Sequence, residues 1–159
     1  MHLNDQTIGT CGDIANGAFS PKQSGGNNGV KTVVIGTCGD ISSSAFANTA
    51  NFSRRGEIVT LTIGECGAIG SSAFSNMPNL EEVSIGKCAS ISSQAFAFDS
   101  ALSKVEIADC ESIGDTAFMS AGAPIETLVL ENCAIAETAF YMVKIDTLVL
   151  DNISEIGDS

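Results

Sequence analysis

The chain has 159 residues, of which 44% are apolar, and this length and composition fit a folded domain with a continuous core rather than a disordered segment. Nineteen acidic residues against seven basic ones give a formal net charge of −12, an overall field that repels nucleic acid and anionic membranes. No apolar run approaches the roughly 20 residues of a membrane-spanning helix, so we expect neither a nucleic-acid partner nor membrane insertion.

Six Ala-Phe pairs divide the chain into repeats. The steps between successive pairs are 27, 28, 22, 22 and 22 residues, and a period of about 20–50 residues is the signature of a solenoid. The pairs are Ala18-Phe19, Ala45-Phe46, Ala73-Phe74, Ala95-Phe96, Ala117-Phe118 and Ala139-Phe140. Apolar and polar residues alternate between them, as in Glu82-Val83-Ser84-Ile85, and this period of two predicts half-buried strands.

The predicted strands follow one another along the chain, each with two inward apolar positions. These positions are held by Val33/Ile35, Leu61/Ile63, Val83/Ile85, Val105/Ile107, Leu128/Leu130 and Leu148/Leu150. The next inward position is held by Ile41, Ile69, Ile91, Ile113 and Ile135. The Ala-Phe pair then packs under a short turn or a single helical turn.

One repeat of about 22 residues cannot bury its own apolar side, whereas stacked repeats cover one another. The sequence therefore predicts an α/β repeat solenoid, right-handed, with one parallel β-sheet and with short, 3₁₀ or helical turns on the other side. We expect a single domain over residues 1–159, made of about six repeats and a partial one.

The pattern Leu-x-x-Val-x-Ile followed by Ile-x-x-x-Ala-Phe resembles the BspA-like (Treponema pallidum type) leucine-rich repeats. The segments Ile69–Phe74 and Ile113–Phe118 match the Ile-Gly-x-x-Ala-Phe run of that family closely. The chain departs from it at Gly36, Gly64 and Gly86, where a proline is usual. The resemblance implies a leucine-rich repeat fold and a secreted or cell-surface protein used in adhesion, although the first residues carry no visible signal peptide.

Six cysteines occupy one column of the predicted solenoid, one in each repeat. They are Cys11, Cys38, Cys66, Cys88, Cys110 and Cys133. A column presents one sulfur per repeat along a line, whereas a zinc site needs ligands that converge. The pattern favours a ladder of buried thiols in which Cys acts as a small hydrophobe. Disulfides between neighbouring repeats are the alternative, and no metal is expected.

Two irregular regions are candidates for contacts with other molecules. The first two repeats are longer, in Ser20–Gly29 and Ala47–Glu57, and insertions at one edge of a solenoid often carry a binding site. Within the second, Arg54 and Arg55 are suited to a carboxylate or a phosphate. The last residues, 156–159, begin another repeat, so we expect either a fragment of a longer array or assembly through the solenoid ends.

The outward side of the sheet is the other candidate surface. One outward column reads Thr32, Thr60, Glu82, Lys104, Thr127, Thr147, and the next reads Val34, Thr62, Ser84, Glu106, Val129, Val149. From these columns we select as candidate binding residues Thr62, Glu82, Ser84, Lys104, Glu106 and Val129.

Catalytic chemistry has little support in the sequence. The single histidine is His2, and no nucleophile elbow, phosphate loop or metal-binding spacing occurs. We therefore expect no enzyme activity and no cofactor. The sequence favours a module that binds a protein or glycan, in adhesion or recognition. The alternative is a structural subunit that assembles through its ends or edges.

Overall fold

The computed structural model describes residues 5–19, 30–47, 58–119 and 124–157. These residues form one ten-stranded sheet, and every strand pairing in it is parallel. The strands are β1 (Asp5–Thr10), β2 (Thr32–Thr37), β3 (Thr60–Ile69), β4 (Glu82–Ile91), β5 (Lys104–Ile107), β6 (Cys110–Ile113), β7 (Ile125–Glu131), β8 (Ala134–Ile135), β9 (Ile145–Asp151) and β10 (Glu155–Ile156).

The strands stack as rungs, where a rung is one repeat with its strands and its turn. Along the first side of the stack the order is β1-β2-β3-β4-β5-β7-β9. Strands β3 and β4 are long enough to continue onto a second side, where β6 pairs with β4, β8 with β6 and β10 with β8. Because each rung covers the next, the repeats bury an apolar interior that none of them could bury alone. The predicted parallel-sheet solenoid is confirmed.

The core consists of columns that run along the stack. The two inward positions of each strand pair with their counterparts one repeat away, as Val83 does with Leu61 and with Val105. The isoleucine column continues on the second side, through Ile91, Ile113 and Ile135. Nearly all of these side chains are buried, which is the burial expected from the alternation of apolar and polar residues.

The phenylalanines of the Ala-Phe pairs form a second stack opposite the sheet. Adjacent rings lie 4.6–5.1 Å apart, centre to centre, and within 16° of parallel. This spacing matches the roughly 4.8 Å between neighbouring strands, so the rings follow the rungs. Phe74, Phe96 and Phe118 are fully buried, whereas Phe19 at one end of the stack is exposed.

The predicted helical character of the turns is wrong. The described residues contain no helix, and the Ala-Phe segments are turns. The residue before each of four pairs has a left-handed backbone, with φ of 55° to 59° at Ser44, Ser72, Gln94 and Thr116, and such a residue interrupts a right-handed helix. The Phe N–H then bonds to the neighbouring rung, as Phe96 donates to the Ala117 carbonyl at 2.8 Å.

Candidate binding face

The outer face is the solvent-facing surface on the first side of the stack. We define it by the two outward columns of β2, β3, β4, β5, β7 and β9. In the first column Thr32, Thr60, Glu82, Lys104, Thr127 and Thr147 are neighbours in register, and in the second Val34, Thr62, Ser84, Glu106, Val129 and Val149 are. Since successive side chains of a strand point to opposite sides, all twelve project away from the core.

Charged groups are concentrated at the middle of the outer face. The Lys104 ammonium lies 3.1 Å from a carboxylate oxygen of Glu106, two residues further along the same strand. Glu82 is the register neighbour of Lys104 on β4. Both members of the Lys104–Glu106 pair keep about half of their side-chain surface in water, so the pair adds little to stability and stays accessible to a partner.

Small side chains surround these charges. Threonines and valines occupy the flanking rungs, and Thr60, Thr127, Val34 and Val129 are half-buried. Past the second column comes a glycine strip, Gly36, Gly64 and Gly86, where the strands turn toward the second side. A methyl group at Gly64 would clash with the Gly36 carbonyl oxygen. The outer face is therefore shallow and open rather than a pocket.

Six of the predicted binding residues come together on this surface. Thr62, Ser84, Glu106 and Val129 form a continuous run across four strands, and Glu82 and Lys104 form the adjacent run. The predicted Arg54 and Arg55 lie outside the described residues. So do the predicted insertion loops, except for Ala47, which is buried.

The structure also exposes apolar side chains that the sequence analysis did not select. Phe98, Tyr141 and Met142 follow their Ala-Phe pairs and are more than 40% exposed. Phe98 and Met142 have left-handed backbones, with φ of 65° and 60°. In the sequence these three residues look like the buried apolar residues beside them. Only the structure shows that they lie just past the turn, where their side chains are exposed.

The six cysteines form the predicted column. All are free; Cys11 is half-buried and the other five are buried. Cys66, Cys88 and Cys110 are register neighbours on β3, β4 and β6. Burial raises the pKa of Cys66 to about 12. The Cys88 thiol donates to the Cys110 sulfur, which raises the pKa of Cys88 and lowers that of Cys110. This arrangement matches the buried thiol ladder favoured by the sequence.

Within the described part of the chain, no three or more His, Cys, Asp or Glu residues are grouped so that they could hold a metal ion. In the same residues no helix is long and apolar enough to cross a membrane.

The stacked parallel rungs and the recurring Ala-Phe turn are the features by which the chain can be compared with known families. The family model for the BspA type leucine rich repeat region matches residues 39–159, in six copies. The chain belongs to this family. No curated protein and no solved structure matches it. The BspA-type match begins at Gly39, and the two strands before it, β1 and β2, continue the same stack in register.

Membership in the BspA-type family sets a coarse functional class. Leucine-rich repeats are generally non-catalytic and often serve in protein binding. Fold alone does not fix what such a solenoid binds.

Proposed function

We propose that this chain is a non-catalytic recognition module that binds a protein partner through its outer face, in adhesion or recognition at the cell surface. The observation that carries the proposal is the register that unites six candidate residues on one open, solvent-facing surface. Solenoids commonly use such extended surfaces for binding.

The chemistry of the outer face favours a protein over a glycan. Lys104 offers an ammonium to a carboxylate, and Glu82 and Glu106 offer carboxylates to a basic group. The valine and threonine side chains around them supply modest apolar contact. A partner with alternating charges and small apolar groups complements this pattern, and opposite charges across an interface fix its register and speed association.

The test compares two charge swaps in chains that keep the same net charge. Lys104→Glu with Glu106→Lys reverses the pair on the outer face. Lys87→Asp with Asp109→Lys reverses a second exposed pair, 3.7 Å apart, that lies on the corner beyond the glycine strip. Wild type and both variants are applied to an array of purified extracellular proteins and to a glycan array. We expect wild type to bind protein spots, and the outer-face swap to weaken that binding about tenfold or more.

The control swap should leave the binding unchanged. Equal losses in both variants, or binding by the wild type to glycans alone, would contradict a protein site on the outer face. Both swaps should melt at the wild-type temperature, since exposed ion pairs contribute little to stability.

A second candidate function, a structural subunit that assembles through its ends, is favoured by the rung that contains β9. Leu148 is 51% exposed and Leu150 39% exposed, although their register neighbours Leu128 and Leu130 are 1% and 0% exposed. A rung of another molecule with the same apolar columns would cover them, and repeated head-to-tail contacts of this kind build filaments.

Light scattering after size exclusion, at several concentrations, separates the two candidates. Assembly through the β9 rung predicts a mass that grows with concentration, and growth that Leu148→Lys with Leu150→Lys abolishes. A constant monomer mass over the whole range would remove this second candidate and leave the recognition module.

A further inference from the structure

The first two cysteines of the column, Cys11 and Cys38, lie at one end of it. Cys11 follows the end of β1 and Cys38 follows the end of β2, so both lie outside the strands, as does Cys133 at the other end of the column. Cys11 is half-buried, whereas the other five thiols are buried. We propose that Cys11 and Cys38 form a redox site, which low-molecular-weight disulfides of the glutathione type convert to a disulfide that locks the first rung onto the second.

The two residues are close enough for this bond. The Cys11 N–H donates to the Thr37 carbonyl at 3.0 Å, which holds Cys11 directly over the Thr37-Cys38 peptide. Cys11 and Cys38 each directly follow a member of the register pair Thr10 and Thr37 on β1 and β2. Neighbouring rungs of a parallel sheet lie about 4.8 Å apart, which is inside the Cα separation of about 4.4–6.8 Å that a disulfide tolerates.

The interior thiols are less suited to cross-linking although they are register neighbours. A disulfide also needs its Cβ atoms about 3.5–4.5 Å apart, closer than the rung spacing, so one rung has to move toward the other. Cys66, Cys88 and Cys110 lie within strands held in register, and moving them would strain the hydrogen bonds of those strands. Cys11 lies on the outermost described rung, where the backbone is paired on one side only.

Access to an oxidant points to the same pair. Cys11 is half-buried whereas the other five thiols are buried, so we expect a bulky disulfide reagent to react with Cys11 before any other thiol. Burial and the adjacent Cys11 thiol raise the pKa of Cys38 to about 11, so little of Cys38 is present as the reactive thiolate. Cys38 therefore reacts only with a disulfide sulfur that is held beside it. Cys11 therefore reacts first and Cys38 second.

The chemistry balances in two exchange steps. The Cys11 thiolate attacks one sulfur of glutathione disulfide, which gives a mixed disulfide and releases one glutathione thiolate. The Cys38 thiolate then attacks the Cys11 sulfur, forms the Cys11–Cys38 bond and releases the second glutathione. Two protein thiols are oxidised and one glutathione disulfide is reduced to two glutathione molecules. The two released protons pass to the solvent or to the glutathione thiolates.

The bond would close a loop of the chain between residues 11 and 38. Such a cross-link restricts the unfolded chain and stabilises the folded state. The first rung would gain the most stability, because it has a neighbour on one side only among the described rungs. In a reducing environment the same rung would stay free to open.

Peptide mapping tests the proposal directly. The folded protein is equilibrated with glutathione disulfide and glutathione, alkylated, and digested with trypsin without reduction. Cleavage after Lys22, Lys31, Arg54 and Arg55 separates Cys11, in residues 1–22, from Cys38, in residues 32–54, and both from Cys66. We expect one cross-link, between 1–22 and 32–54, and four remaining thiols out of six. The melting temperature should rise by roughly 5 °C.

Two variants serve as matched controls. Cys11→Ala should retain all five of its thiols under the same conditions and show no rise in melting temperature. Cys133→Ala, at the other end of the column, should still form the 1–22 to 32–54 cross-link. Six unreacted thiols in the wild type at a large excess of glutathione disulfide would overturn the proposal. So would a cross-link between any other pair of peptides.

Discussion

Asp99 is an anomaly at the scale of single residues, because its carboxylate has no exposed surface. One oxygen accepts a hydrogen bond from the Met77 N–H at 2.8 Å. The other oxygen is buried and has no hydrogen-bond partner among the described residues. Burial raises the pKa of Asp99 well above its usual value, and the Met77 hydrogen bond offsets this only in part. The ionised form therefore costs the folded state free energy.

We expect Asp99→Asn to show this cost as a pH dependence. A carboxyl group whose pKa is raised on folding binds its proton more tightly in the folded state. The wild type therefore loses stability as the pH rises from the unfolded pKa through the folded one. The asparagine variant lacks this loss. In urea unfolding from pH 4 to pH 8, the free energy of unfolding of Asp99→Asn should rise relative to that of the wild type as the pH increases.

The control for Asp99 is Asp146→Asn, which removes an exposed carboxylate from β9. Its free energy of unfolding should follow the wild-type curve across the same pH range. Parallel curves for Asp99→Asn and the wild type would mean that Asp99 is ionised at no cost, contrary to its burial.

Gly64 is constrained by the close approach of two backbones. A methyl group there would meet the carbonyl oxygen of Gly36, and a backbone atom cannot rotate away as a flexible side chain can. We expect Gly64→Ala to lower the free energy of unfolding by about 1–3 kcal/mol. Gly12→Ala is the matched control, because no atom of the described part of the chain lies within 4 Å of its added Cβ. Similar urea midpoints for the two variants would contradict this reading of the glycine strip.

The phenylalanine stack shows how an element of the fold depends on position. Phe96 lies between Phe74 and Phe118, with ring centres 5.1 and 5.0 Å away, and is fully buried. Phe19 has one ring neighbour among the described residues and is 41% exposed. Removing the ring would therefore leave a closed cavity at Phe96 and an open surface at Phe19.

We expect Phe96→Ala to lower the free energy of unfolding by about 3–5 kcal/mol, the range for a large aromatic residue in a packed core. Phe19→Ala should cost clearly less, since its site is open to water and one side has no ring to lose. Equilibrium denaturation of both variants measures the difference. Equal losses would show that the stack does not act through neighbouring rungs.

The strands and their columns were predictable because their signal is local and repeated. Val83 and Ile85 of β4 alternate with polar residues, and the same spacing recurs in β2, β3, β5, β7 and β9, so both these strands and their inward side follow from the sequence. The six outer-face residues were found for the same reason. Which of them contact a partner depends on a molecule outside the chain, and no periodicity encodes that.

The turns and the buried acid could not be predicted in the same way. Left-handed backbones are expected at glycine or asparagine, yet before the Ala-Phe pairs they occur at residues such as Gln94 and Thr116. Contacts with adjacent rungs impose that conformation, so a single repeat does not reveal it. Asp99 has a polar side chain and a surface-like sequence context, and only the stacked structure shows that it is enclosed.

Stability of the whole molecule should vary along the stack. Each rung contacts only its neighbours, so its stability depends on the interfaces on its two sides. Interior rungs such as those of β3 and β4 have two such interfaces. The rungs of β1 and β9 have one each among the described residues, and their outer faces are exposed.

We expect hydrogen exchange to reveal this gradient. Amides of β3 and β4 should exchange most slowly, and those of β1 and β9 fastest, because end rungs open without disrupting the rest of the stack. Exchange followed by mass spectrometry on peptides from each rung measures it. Phe96→Ala should accelerate exchange in β4 and its neighbours β3 and β5 more than in β1. Uniform protection from β1 to β9 would contradict the nearest-neighbour description. If the protection of β9 rose with protein concentration, that rung would be identified as a contact between molecules.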